Sequence, residues 1–109
     1  MLVAGTKNDR NQFTGVMLGD MKVAEGSIVE SGLFGFHEGA ASFGFKTDGT
    51  AFIGKSGRGR IEFDGNDATI TSSGYNEGTG IYIDLDAPSL NIKSNATDLF
   101  LVDNTNFYL

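Results

Sequence analysis

The chain has 109 residues and a net charge of −6, with fourteen acidic residues against eight basic ones. That balance argues against nucleic acid, whose phosphates demand a concentrated positive surface, and equally against an anionic membrane. It holds no cysteine, which excludes disulfides and thiolate metal sites. Sixteen glycines, nine phenylalanines and one proline suit an all-β chain of short apolar runs better than a disordered or collagen-like one.

In chain order, residues 1–30 read as the less regular part of a single β-rich module spanning 1–109. Phe13–Leu18 is expected to be a strand. Met21–Ile28 is a weak helical candidate without a cap and interrupted by Gly26, so it reads as a strand or an irregular link. Residues 31–93 read as a strand–turn meander. It opens with an internal echo, Phe34-Gly35-Phe36 followed by Phe43-Gly44-Phe45. In each copy the phenylalanines share one strand face and the glycine takes the other. A glycine inside a strand signals a bulge or a close neighbour, so the back face is expected to be crowded, by the chain's own strands or by a neighbouring chain.

The centre of the meander is Ser42–Ser72, with strands at Ser42–Lys46, Thr50–Ile53, Arg60–Asp64 and Ala68–Ser72. Asp48-Gly49 and Asp64-Gly65-Asn66-Asp67 supply the turns. Gly74–Gly80 is a polar loop. Ile81–Asp86 alternates, with Ile81, Ile83 and Leu85 inward and Tyr82, Asp84 and Asp86 outward. Ala87-Pro88-Ser89 ends that strand, and Leu90–Lys93 begins another. Residues 94–109 form an apolar C-terminal segment, with Leu99–Val102 and Phe107–Leu109 apolar on both faces and in want of a cover. Strands this short offer narrow apolar faces. Either one chain folds back into a β-sandwich or barrel, or identical chains pool their faces about a shared axis, and periodicity leaves both open.

Several motifs touch chemistry. Gly49–Ser56 matches the phosphate-binding pattern G-x-x-x-x-G-K-S, but Thr50–Ile53 reads as a strand and another strand follows where that loop needs a helix. Lys55, Arg58 and Arg60 form a basic cluster that could meet an anion or acidic sugar, or simply balance Glu62 and Asp64 in water. His37, the sole histidine, reads as a turn residue. Asp84 and Asp86 could pair as acid and base or hold a cation, or face solvent as outward strand residues. Asn95-Ala96-Thr97 is a glycosylation sequon, meaningful only in a secreted eukaryotic protein. Tyr75, Tyr82 and Tyr108 could stack on sugar rings; Tyr75, in a polar loop with Asn76 and Glu77, is the best placed of them, or it packs at the loop base. No nucleophile, base and charge stabiliser assemble, so no catalytic residue, metal ligand or cofactor is expected. Lys55, Arg58 and Tyr75 are the candidate glycan or anion contacts.

The stretch Phe43–Gly65, FGFKTDGTAFIGKSGRGRIEFDG, resembles a module of tail fibre and tail-tip structural proteins of long-tailed bacteriophages and prophages of Gram-positive bacteria. Gly80–Asp86, GIYIDLD, is similar to the strand that follows in such proteins. The resemblance covers about Phe34 to Asp86. It implies an intertwined homotrimeric fibre segment, a triple-stranded β-helix or β-prism, within a longer protein reaching toward the host surface. It implies a location in the virion tail, or in the bacterial cytoplasm before assembly, and it carries over no catalytic residue. The start at Met1 and the apolar end at Leu109 fit either a small independent unit or a fragment. The other readings are a module binding cell-wall glycan and a polysaccharide lyase of the trimeric β-helix type.

Overall fold

A computed structural model describes residues 2–22, 29–57, 59–103, 105, 107 and 108. The chain is all-β, and its strands are β1 (Leu2–Lys7), β2 (Phe13–Lys22), β3 (Val29–His37), β4 (Ala40–Lys46), β5 (Thr50–Ile53), β6 (Ile61–Asp64), β7 (Thr69–Ser72), β8 (Gly80–Asp84), β9 (Ser89–Ser94), β10 (Thr97–Val102) and β11 (Phe107–Tyr108). One short 3-10 turn, Tyr75–Glu77, interrupts them. The chain divides into two compact units, Met1–Ser56 and Gly57–Leu109. Each is an open antiparallel meander in which a strand pairs with its neighbour in sequence. Among the described residues, neither unit has a second layer that closes a sandwich.

The first unit opens on a regular strand pair. β1 pairs with β2 over six positions, from Leu2 opposite Leu18 to Lys7 opposite Phe13. The expected strand Phe13–Leu18 is part of β2, which takes in both Gly15 and Gly19. Gly15 stands opposite Gly5 on one side and Phe36 on the other, with the Phe13 ring lying over the bare backbone. Met21 and Lys22 extend β2, while residues 23–28 of the expected link lie outside the described residues.

The Phe-Gly-Phe echo resolves into a reciprocal fit. Phe34 stands opposite Gly44, and Gly35 stands opposite Phe43, so the two phenylalanine pairs occupy opposite faces of the sheet. The Phe43 ring lies where a side chain on Gly35 would go. The Phe52 and Phe34 rings occupy the space above Gly44, where an added Cβ would come 2.5 Å from Phe52 and 3.0 Å from Phe34. The crowding at both glycines therefore comes from the chain's own aromatic rings, and ring-over-glycine pairing stabilises strand positions that glycine alone would weaken. Phe34 is fully buried and Phe52 nearly so. Beside them, Lys46 forms an ion pair with Glu30 at 3.0 Å and approaches the Phe52 ring. The opposite face of this unit is also apolar, yet Leu2, Leu18, Phe45 and Ile53 are 48–67% exposed.

In the second unit the register sorts side chains by polarity. Direct cross-strand partners share a face. One face therefore carries a row of Phe63, Ile70, Ile83, Leu90 and Val102 from β6 to β10, and beside it Ile61, Ile81, Ile92 and Phe100. The other face carries Glu62, Asp64, Thr71, Tyr82, Asp84, Asn91, Lys93 and Asp98, with Leu101 among them. Among the described residues of this unit no apolar side chain is buried, and the only buried one is Asn91. Ile61, Phe63 and Ile81 remain 38–48% exposed on the apolar face.

Turns recur with one chemistry. The carboxylates of Asp48, Asp64, Asp84 and Asp103 accept backbone N–H groups two residues on, at Thr50, Asn66, Asp86 and Thr105, and the Asn8 amide oxygen does the same for Arg10. Asp, Asn and Ser side chains that bond their own backbone in this way set a turn locally. In the second unit the turns of Asp64, Asp84 and Asp103 all fall at one end of the meander, because consecutive antiparallel strands alternate in direction. Leu85 departs from its expected inward place. Asp84 ends β8 by accepting the N–H groups of Asp86 and Ala87, both at 2.9 Å, which turns Leu85 outward and leaves it 53% exposed.

Candidate functional site

The second unit gathers its polar chemistry around Tyr75. The 3-10 turn Tyr75–Glu77 ends at Gly78, whose φ of 100° is left-handed and comfortable only for glycine. Gly78 also lies against Ala96 of the β9–β10 turn, and the Ala96 N–H donates to the Gly78 carbonyl at 2.8 Å. Thr79 Oγ1 accepts the Asn95 N–H at 3.1 Å. Two connections at one end of the meander are thereby tied together, and they hold Tyr75 over the polar face.

Tyr75 donates its hydroxyl to Asn91 Oδ1 at 2.6 Å, and Asn91 donates from Nδ2 to Asp98 Oδ1 at 3.0 Å and to the Phe100 carbonyl at 3.3 Å. Burying an amide demands such partners, and here both ends of the Asn91 amide have them. The Tyr75 ring stacks on Tyr82 with centroids 5.1 Å apart and planes 21° from parallel, and Lys93 Nζ lies 5.0 Å from the Tyr75 centroid. Tyr82 donates to Asp84 Oδ2 at 3.2 Å. Burial, first, and then that carboxylate push the Tyr82 hydroxyl pKa above its usual value. An open groove lined by Tyr75, Asn76, Glu77, Gly78, Lys93 and Ala96 borders this cluster.

The surroundings of the Tyr75 ring bear on sugar stacking. A sugar stacks on an open aromatic face, and Tyr82 and Lys93 both contact the Tyr75 ring. Tyr75 lines the groove together with the Lys93 ammonium, the Glu77 carboxylate and the Asn76 amide. Tyr82 was a stacking candidate in the sequence, but Asn91 and Lys93 were not singled out. The only signal was their alternate spacing on β9, which says face but not neighbour.

Lys55 is exposed in the loop after β5, in the first unit, and Arg58 lies outside the described residues. Tyr75 belongs to the second unit. The phosphate-loop pattern fails as expected: Thr50–Ile53 is β5, paired with β4, the Gly54 N–H donates to the Ser42 carbonyl at 2.7 Å, and β6 follows. His37 closes β3 beside the Glu38-Gly39 turn. It is exposed, 3.9 Å from an equally exposed Glu38, a separation that contributes little in water.

Asp84 and Asp86 do not form an outward pair on one strand. Asp84 is drawn into its turn, and the backbone N–H of Ala87, then that of Asp86, lower its pKa below the usual carboxylate value. Among the described residues no three His, Cys, Asp or Glu side chains are placed to hold a metal ion. No helix among the described residues is long and apolar enough to cross a membrane. The sequon asparagine occupies the two-residue β9–β10 turn, with φ of 49° at Asn95 and 61° at Ala96. Compared with protein-family models, with curated proteins and with solved structures, the chain matches none.

Proposed function

We propose that this chain is a structural module of a phage tail fibre or tail-tip protein, built as a homotrimer whose copies share one core. The observation that carries the proposal is the second unit's lack of a buried apolar side chain among its described residues, despite a face of nine apolar side chains. A meander with one bare face does not hold itself together in water, because an isolated sheet needs a packed layer behind it. Copies meeting about an axis supply that layer. The resemblance of Phe43–Gly65 to tail-fibre modules points the same way. On this reading the meanders form a triple-stranded β-helix or β-prism, the strands act as a stiff shaft, and the loops 54–59 and 73–80 face the host surface. The mass in solution tests it. A stable species of about 35 kDa, three times 11.6 kDa, is expected by light scattering after size exclusion. A clean monomer overturns the shaft reading.

A second reading, recognition of a cell-wall glycan, is favoured by the groove beside Tyr75, Glu77 and Lys93. Pull-down on purified cell walls tests it, with Tyr75→Ala and Lys93→Ala as the informative variants. Loss of retention in both supports the groove as the contact. Unchanged retention removes it.

A further inference from the structure

From the register of the second unit we infer that its two apolar rows, Phe63 to Val102 and Ile61 to Phe100, form the contact surface that further copies of this same chain cover. The inference rests on the homotrimer reading and names the surface that does the work.

Charge selects the occupant. Neither row contains a charged side chain, while the opposite face carries Glu62, Asp64, Asp84, Lys93 and Asp98. One end of the sheet is rimmed by the turn carboxylates of Asp64, Asp84, Asp86 and Asp103. An anionic lipid surface would meet that rim with repulsion. A partner chosen by complementary charge finds nothing on the rows to pair with. A second copy presents the same uncharged rows by identity, and related by rotation it matches apolar surface to apolar surface.

Size agrees. Two phenylalanines and seven aliphatic side chains, with Ile61, Phe63 and Ile81 38–48% exposed, offer apolar surface on the order of a few hundred Å². A standard contact takes about 800 Å² from each partner, of which roughly 65% is apolar in homo-oligomers. The rows thus supply the apolar heart of one such contact, with the polar ends of the strands as its rim. The groove along Ile61, Ile70, Ile81 and Ile83 is open and shallow, suited to another sheet face rather than to a small ligand.

The chain lacks cysteine, so a single introduced thiol reports without ambiguity. Ile81→Cys places it on a row, at a position 44% exposed in the lone chain, and Glu62→Cys places it on the opposite, exposed face. Ile61→Cys is the second row variant should Ile81→Cys fail to fold. In the assembled full-length chain the row thiol is expected to react with a polar maleimide about tenfold or more slowly than the Glu62→Cys thiol. The two rates should converge once dilution lowers the measured mass to that of a monomer. Equal rates in a species of trimer mass overturn the assigned surface and leave the trimer standing. Protection that persists in the monomer means the chain covers its own rows, which also overturns the inference. A wild-type chain that is monomeric throughout removes the trimer and the inference together.

Discussion

Replacing Phe34 with alanine tests the core of the first unit at its most buried point. Phe34 has no exposed surface and spans the strand pair onto Gly44, which has no side chain to fall into a void. Losing the buried aromatic surface costs about 2–3 kcal/mol in transfer free energy. The void adds to this, because Phe52 already lies against Gly44 and the backbone of a hydrogen-bonded sheet relaxes little, so the total should reach ~3–5 kcal/mol. Phe34→Leu keeps most of the volume and should cost about half as much. Urea unfolding followed by far-ultraviolet circular dichroism, at one fixed protein concentration, reads both. The concentration must be fixed because assembly would add its own stability. A loss below about 1 kcal/mol for Phe34→Ala would refute the claim that this ring organises the unit.

Four further outcomes follow from the same geometry. Gly44→Ala should destabilise by ~1–3 kcal/mol, since its Cβ would overlap the Phe52 ring, whereas Gly57→Ala adds a Cβ in open space and reports only the backbone strain of a positive φ. Ala96→Gly should stabilise by roughly 0.5–1 kcal/mol, because alanine at a φ of 61° carries a left-handed penalty of ~1–2 kcal/mol that glycine's greater loss of freedom only partly offsets; thermal melting reads the change. Tyr75→Phe should cost ~1–3 kcal/mol by stranding the buried Asn91 oxygen, and the Tyr75→Phe/Asn91→Leu pair should cost less than the two single changes summed. In acid, Asp48 and Asp84 matter most. Thr50's hydroxyl and N–H lower the first, and the Ala87 and Asp86 N–H groups lower the second. A carboxyl lowered on folding stabilises the fold above its unfolded value of 3.8 and loses that contribution as pH falls through the folded one. Melting temperature should therefore drop below about pH 4, and less so in an Asp48→Asn/Asp84→Asn variant.

The turns were the legible part of this fold. Asp48-Gly49, the Asp64–Asp67 run and Ala87-Pro88 each carry their chemistry in two to four adjacent residues, and the strands between them follow from alternation. The first thirty residues were less legible. Phe13–Leu18 was legible as a strand, but the Phe13 ring that covers Gly15, and the strands flanking β2, are identifiable only after pairing. The Phe-Gly-Phe echo advertised crowding without its source, since reciprocal placement depends on the register between β3 and β4, which no single strand encodes. Leu85 obeyed the period of its strand until the Asp84 carboxylate ended that strand one residue before it. At the candidate site Tyr75 was visible as an aromatic in a polar loop. Its partners were not, because Asn91 and Lys93 lie sixteen and eighteen residues away and are ordinary residues until β9 brings them beneath the ring.

The strand order within each unit has a consequence for how the chain acquires its structure. Every ladder joins segments adjacent in sequence, so no strand waits for a distant one, and the delay that long-range pairing imposes on most β proteins is absent. Hairpins of this length close in about 1–10 μs. The turns set by Asp48, Asp64, Asp84 and Asp103 can form one after another as the chain emerges, each needing only residues already present. What such local zipping leaves undone is cover for the rows of the second unit. Under the proposed assembly that cover comes from other copies, and the stage at which they meet would then depend on abundance rather than on sequence separation.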